Sequence, residues 1–357
     1  MNRHDIALKI LHEGTCIPAS PLALNKERKF DENRQRALSR YYLNSGVGGL
    51  AIAVHTTQFE IRDNKINLFE TVLKCASDEI SKYEESSGKT IVKISGVCGE
   101  TEQAIKEAEL AKSYGYDAVL LSPEGLSHLS ENELILRTKK VAETIPIIAF
   151  YLQPACGGRV FSYNYWEQIC EIDGVAAIKA ASFDRYLTQD VVRAVTFSKR
   201  ADKIALYTGN DDNIVMDLLA NYEFFKDGKS YKNGFVGGLL GHWSVWTKTA
   251  VNMFEMLKKA KKTENITDEI MALANKVTDA NSAFFDTANN FEGCIAGLHE
   301  VLRRQGLLEG IWCLNPKETL SLGQSEEINR VYKMYPELND DEFVKENMEK
   351  WLNHECI

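Results

Sequence analysis

The feature that most constrains this chain is an alternation. From about residue 14 to 260, short apolar or β-branched runs take turns with longer amphipathic stretches. The runs are GTCIPAS from Gly14, GGLAIAV from Gly48, TIVKISG from Thr90 and DAVLLS from Asp117. They continue with PIIAFY from Pro146, GVAAIKA from Gly174, KIALYTG from Lys203 and GFVGGL from Gly234. Between them lie helical patterns such as DENRQRALSRYYLNSG and TEQAIKEAELAKSYG, the second with apolar residues at i, i+3 and i+4 and a terminal glycine. Near-continuous apolar strands, each followed by a helix, imply a parallel sheet covered on both faces. Eight such units over roughly 250 residues have the size and period of a (β/α)8 TIM barrel. An open doubly wound sheet is the alternative. Against it, no GxGxxG turn follows an early strand, since Gly46, Gly48 and Gly49 precede one.

After the eighth run the pattern turns helical, at 243–262, 266–288 and 291–306. LNPKETLSLGQSEE reads as a loop and DDEFVKENMEKWLNHEC as a final amphipathic helix. The expected organisation is a barrel with an N-terminal segment over 1–262 and a C-terminal helical region over 263–357. That region would pack on the barrel or at an oligomer contact. The length, 357 residues, suits one large α/β domain with such an extension.

Charge and composition exclude several function classes. A net charge of −9 argues against a nucleic-acid partner, which normally meets a basic excess. No apolar run reaches the roughly 18 to 20 residues of a membrane span. The opening MNRHDIALKILHEG has a short apolar stretch broken by charge and no small-residue cleavage site, so it does not read as a secretory signal. The eight cysteines, at 16, 75, 98, 156, 170, 294, 313 and 356, form no CxxC pair. Neither a zinc ribbon nor a dithiol centre is indicated, and the expected setting is reducing and cytoplasmic, with free thiols. No cofactor is expected, because clustered His/Asp/Glu ligands at metal spacing and a phosphate loop are both missing.

In a β/α barrel the reactive groups sit at the C-terminal ends of the strands. Those positions give His55-Thr56-Thr57-Gln58 after the second strand, Tyr151 ending the fifth and Lys179 ending the sixth. Gly209, Asn210 and Asp211 follow the seventh, and His242 follows the eighth. Strand alternation would place Lys179 on one face with Val175 and Ala177, an amine beyond small apolar residues. Desolvation lowers the pKa of such an amine towards the neutral nucleophile that Schiff-base formation needs. The competing reading is a strand-end lysine that snorkels to solvent. Tyr151 reads either as a core aromatic or as a proton relay to a lysine on the next strand. Thr56 and Thr57 read as β-branched strand-end residues or as an anion cradle. His55 and His242 are structural histidines, or they meet over the barrel mouth to contact substrate.

The whole constellation resembles the dihydrodipicolinate synthase/N-acetylneuraminate lyase family of class I aldolases. The resemblance covers roughly residues 12–310 and rests on the order and spacing of several segments. These are IPASPLALNKERKFDEN, SGVGGLAIAVHTT, ISGVCGETEQAIKEAELAKSYGYDAVLLSP, IAFYLQPACGG, VAAIKAAS and YTGNDD, with 28 residues from Tyr151 to Lys179. It implies a barrel with C-terminal helices, commonly a homotetramer built of dimers, and a lysine that forms an imine with pyruvate or another 2-oxo acid. Carried over, Lys179 is the Schiff-base nucleophile, Tyr151 the proton shuttle and Thr56 part of the relay. Thr56 and Thr57 together bind the substrate carboxylate. His55, Gly209 and His242 are further candidates for substrate contact.

The departures narrow this. The family's glycine before Thr-Thr is His55, and its following Gly-Glu is Gln58-Phe59. The synthase's relay tyrosine falls at Gly125, and its arginine after the fifth strand falls at Cys156, with Arg159 three residues later. Gly237, Gly238 and Gly241 ahead of Trp243 suggest an altered pocket wall. These changes argue against authentic dihydrodipicolinate synthesis. The expected function is a Schiff-base lyase or aldolase acting on a small-molecule 2-oxo acid, in a dimer or tetramer. The alternatives are an imine-dependent dehydratase or decarboxylase of a 2-oxo sugar acid, and a non-catalytic metabolite-binding relative.

Overall fold

The structure, a computed structural model, describes residues 1–353. The chain begins with helix α1 (Arg3–Glu13), then strand β1 (Cys16–Pro18), α2 (Glu32–Ser45), β2 (Gly49–Ile52), α3 (Phe69–Ser87) and β3 (Val92–Val97). It continues through α4 (Thr101–Ser113), β4 (Ala118–Leu121), α5 (Glu131–Ala142), β5 (Ile147–Leu152), α6 (Tyr163–Cys170) and β6 (Val175–Ala181). Next come α7 (Arg185–Phe197), β7 (Ala205–Thr208), α8 (Ile214–Leu219), β8 (Tyr222–Lys226), β9 (Lys229–Asn233) and β10 (Gly237–Leu240). The chain ends with α9 (Thr247–Thr263), α10 (Asp268–Phe284), α11 (Cys294–Arg304), α12 (Gln324–Met334) and α13 (Asp341–Leu352).

Eight strands form one parallel sheet in the order β1-β10-β7-β6-β5-β4-β3-β2. The two edge strands meet through the Ala19–Ala51 bridge, where the Ser20 amide donates to Ala51 O at 2.9 Å. The sheet therefore closes into a barrel, and each predicted apolar run covers one of its strands to within a residue at the C-terminal end. Every barrel strand is buried on both faces except at Ala176. Ile17, Ile94, Ile148 and Leu239 fill the interior, while the outer faces pack on the helices. Local sequence sets the helix ends. The Asp31 side chain accepts from the Arg34 amide to open α2, and Gly46 closes it in the left-handed region.

The N-terminal segment forms a plug. Helix α1 lies under the barrel floor, with Ala7 and Leu11 in the interior cluster. The Tyr207 hydroxyl donates to Leu11 O at 2.7 Å and accepts from the Thr15 amide at 3.2 Å. Arg3 Nη1 donates to the buried Asp117 carboxylate at 2.6 Å. The same carboxylate accepts from the Lys93 amide at 2.9 Å.

Two further elements depart from the expected pattern. Strands β8 and β9 form an antiparallel hairpin inserted before the last barrel strand. It turns on Asp227 and Gly228, both at positive φ, as a type I′ turn requires. The stretch expected to be a loop, 314–327, is helical from Gln324 onward. The final helix was read to residue 356; positions 354–357, Cys356 among them, lie outside the described residues. Helix α13 packs on α2. Trp351 Nε1 donates to Asn44 Oδ1 at 2.6 Å, Tyr41 OH to Asp340 Oδ2 at 2.8 Å, and Arg40 to the Trp351 carbonyl. Among the described residues no helix is long and apolar enough to cross a membrane.

Candidate functional site

Lys179 sits in β6 at the C-terminal end of the barrel, pointing inwards and only 8% exposed. Its neighbours differ from simple alternation. The β5–β6 ladder slips at its start: Ile147 pairs with Val175 but Ile148 with Ala177. Ala176 is the extra residue of a bulge, and a bulge reverses the side-chain parity beyond it. Ala177 therefore faces the interior with Lys179, whereas Val175 belongs to the outer layer, correcting the expectation that all three share a face. The amine lies over the Phe150 ring, 4.4 Å from its centroid. Gly209 makes room for the lysine stem: a Cβ there would sit 2.5 Å from Lys179 Cε. Burial lowers the lysine pKa, with partial opposition from Asp211.

The register also corrects the assignment of Tyr151. Phe150 pairs with Lys179 and Tyr151 with Ala180, so it is Phe150 that shares the interior face with the lysine. The Tyr151 ring points outwards and stacks on Trp166 at 5.3 Å, and its hydroxyl accepts from the Phe161 amide at 3.3 Å. The core-aromatic reading holds. A phenol on the far side of the sheet cannot relay protons to Lys179.

The cavity at the mouth holds about 60 Å³ of room for water centres. Lys179, His55, Thr56, Gly209 and Asp211 line it. Thr57 and His242, both predicted to touch substrate, do not. The Thr57 hydroxyl donates to Ser20 O at 2.7 Å and is fully buried. The Thr56 hydroxyl donates to Ala19 O at 2.7 Å, so it ties the β2 end to the β1 end while its residue faces the cavity. His242 turns its ring away from His55, bringing Nδ1 within 2.5 Å of Asn281 Oδ1 and stacking on Phe284. The two histidines therefore do not meet over the mouth. Burial lowers both imidazoles to about 4, so each ring is neutral at pH 7. Arg159 also turns away, donating to Leu129 O at 2.5 Å. Gly125 lies in a separate surface hollow with Glu124 and His128.

The sequence reading undervalued two parts of this wall. Among the described residues, Asp211 carries the one carboxylate on the cavity wall. The His242 amide donates to its Oδ1 at 2.9 Å, and burial raises its pKa against the pull of that bond and of Lys179. Its place after β7 was the available signal. The second part is a roof from the C-terminal region, where Phe285 and Phe291, between α10 and α11, and Cys294, the first residue of α11, complete the cavity beside Cys156. No strand periodicity announces those residues. Burial pushes the Cys156 thiol up to about 11 and the Cys294 thiol well above its ordinary value, so neither is a thiolate at neutral pH. Among the described residues no three His, Cys, Asp or Glu side chains converge in a metal-holding group.

Known proteins resemble the chain at three levels. A family model described as the dihydrodipicolinate synthetase family matches residues 14–334. A 4-hydroxy-tetrahydrodipicolinate synthase from Desulforudis audaxviator is 27% identical over 215 residues, covering 58% of this chain and 66% of that protein. An N-acetylneuraminate lyase from Citrobacter koseri is 26% identical over 208 residues, covering 57% of this chain and 65% of the lyase. The chain thus spans just under two thirds of the length of these relatives. Among solved structures, dihydrodipicolinate synthase from Oceanobacillus iheyensis superposes with a TM-score of 0.73 at 15% identity, covering 94% of this chain and 99% of that one. N-acetylneuraminate lyase from Fusobacterium nucleatum gives 0.69 at 17% identity, covering 91% and 99%. These structures share the barrel and the helices that follow it. With the family match running from the first strand to the end of α12, the chain belongs to the dihydrodipicolinate synthetase family.

Proposed function

We propose that this chain is a Schiff-base lyase or aldolase acting on a small 2-oxo acid through Lys179. One observation carries the reading. The lysine amine is buried at the catalytic end of a parallel barrel, faces a cavity, and has no carboxylate within salt-bridge distance among the described residues. Desolvation without a tight ion pair favours the neutral amine, which is the nucleophile. That amine adds to the carbonyl, water leaves, and the iminium draws electrons from the adjacent carbon. A carbon–carbon bond then breaks or forms through the enamine.

The cavity speaks for substrate size. A water needs roughly 10–15 Å³ of such room, so about 60 Å³ holds some four to six waters. A three-carbon 2-oxo acid fits that space better than an extended sugar acid does. Its carboxylate would lie towards His55 and the Thr56 backbone, opposite Asp211. The aldehyde partner would enter beneath Phe285 and Phe291.

Borohydride trapping with pyruvate and a panel of 2-oxo sugar acids, read by intact mass and peptide mapping, tests the proposal. The expected result is a substrate-sized adduct on Lys179 that the folded Lys179→Ala protein does not form. Folded protein that gives no adduct with any panel member overturns it. Product analysis then separates aldol cleavage, which releases two carbon fragments, from dehydration or decarboxylation.

A further inference from the structure

With Tyr151 turned into the outer layer and Phe150 against the lysine, the imine chemistry needs another proton carrier. We infer that Asp211 is that carrier: its carboxyl delivers a proton to the departing hydroxyl during imine formation and then removes one from the substrate carbon next to the imine. The inference rests on the Schiff-base reading above and names the group that completes it.

Geometry singles out Asp211. It lines the cavity that Lys179 lines, two residues beyond the glycine packed against the lysine stem. A closed set of hydrogen bonds fixes it. The His242 amide donates to Asp211 Oδ1 at 2.9 Å, Asn281 Nδ2 donates to Asp211 O at 2.6 Å, and the His242 ring meets Asn281 Oδ1. Since Asn281 Oδ1 can only accept, His242 donates from Nδ1, and its ring serves to hold Asn281. His242, which sequence placed on the substrate, is thus a positioning residue for the carboxylate. One carboxylate oxygen is pinned, and Oδ2 lies on the side of Gly241, beside the roof residue Phe285.

The other ionisable groups on the wall are less suited. The Cys156 and Cys294 thiols hold their protons tightly, and the neutral His55 ring is a weak base. The Thr56 hydroxyl is engaged with Ala19 O and Ser20 O. Desolvation keeps Asp211 protonated to higher pH than an exposed aspartate and makes its carboxylate the stronger base, while it leaves Lys179 holding its proton less tightly than an exposed lysine.

The steps balance. The neutral Lys179 amine and the 2-oxo acid give a carbinolamine; protonated Asp211 gives its proton to the hydroxyl, and water and the protonated imine result. The Asp211 carboxylate then takes a proton from C3, the C–H pair moves to the iminium, and a neutral enamine forms with Asp211 protonated again. When the enamine adds to an aldehyde, protonated Asp211 gives its proton to the new alkoxide; in the cleavage direction the carboxylate takes the hydroxyl proton as the carbon–carbon bond breaks and then delivers it to C3 of the enamine.

The experiment pairs two readouts on wild type, Asp211→Asn and Tyr151→Phe, each checked for folding by thermal melt. One is the final yield of borohydride adduct with saturating pyruvate; the other is the rate at which pyruvate exchanges its methyl protons in D2O. The inference expects all three to form the adduct, Asp211→Asn to lose about a hundredfold or more in exchange, and Tyr151→Phe to stay within about threefold of wild type. Asp211→Asn exchange within about threefold of wild type overturns it. So does a comparable loss in Tyr151→Phe. An adduct missing from wild type overturns the Schiff-base reading instead. Asp211→Ser replaces Asp211→Asn, with the same two readouts, if the amide does not fold.

Discussion

The two ends of the barrel treat charge in opposite ways. At the floor, Asp117 is buried but met by Arg3 and by the Lys93 amide, and α1 seals the interior above it. At the mouth, Lys179 and Asp211 are also buried, each 8% exposed against 1% for Asp117, yet neither lies in a salt bridge among the described residues. Satisfied charge stabilises, whereas an unpaired buried amine costs stability and keeps its reactivity. One interior thus holds a paired charge at one end and, on the proposed reading, a reactive amine at the other.

The largest effect should come from the mouth. Replacing Lys179 by Met keeps the stem and removes the amine; imine-dependent turnover should fall by about a thousandfold or more, measured by product release. The same variant should gain on the order of 1 kcal/mol in urea unfolding, because a desolvated amine gives way to an apolar group. A stability loss there would break the comparison. At the floor, Gly14 has φ +89° and a Cβ would lie 1.9 Å from Val236 O. Gly14→Ala should cost about 3 kcal/mol in the same assay. Asp117→Asn, which strips the charge that Arg3 meets, should cost about 2 kcal/mol and leave imine trapping in the folded fraction unchanged.

Acid sharpens the contrast, because the region behind the mouth holds histidines that folding keeps neutral. Burial lowers His242 and His299 from the ordinary 6.5 to about 4. Between those pH values the unfolded chain binds protons that the folded chain refuses, so their contribution is full above about pH 6.5 and is lost as pH falls towards 4. Urea midpoints over that window should drop, with a slope of at most about 1.4 kcal/mol per pH unit for each ring. A flat profile would mean that both rings accept protons in the folded state. The smallest change is expected at the roof. Phe291→Ala should raise KM for the aldehyde partner severalfold, equivalent to about 1 kcal/mol, with little change in adduct yield from pyruvate.

Most of the barrel was legible because buried parallel strands are short apolar runs, and each of the eight runs covers a strand to within a residue. Lys179 was legible for the same reason, as a charge at the end of such a run. Tyr151 was misread because a 28-residue interval counts a loop and a helix and carries no information on which face either residue occupies. That parity depends on the ladder, and the bulge at Ala176 shifts it. The hairpin had a local signal, Asp227-Gly228 between alternating residues, which the count of eight units absorbed into a connection. The roof had none, since Phe285 and Phe291 approach Lys179 only through tertiary packing over a separation of more than 100 residues.

That roof has a consequence for how such an enzyme could diversify. The strands that set Lys179 and Asp211 are bound to one another by a hydrogen-bond ladder in which a one-residue slip turns a phenol out of the site. The segment between α10 and α11 answers to no ladder, yet it forms the cavity wall under which the second reactant would lie. On the proposed reading, substitutions there would retune which partner is accepted while the amine and the carboxylate stay where the sheet holds them, and chemistry and selectivity would be inherited on separate stretches of chain.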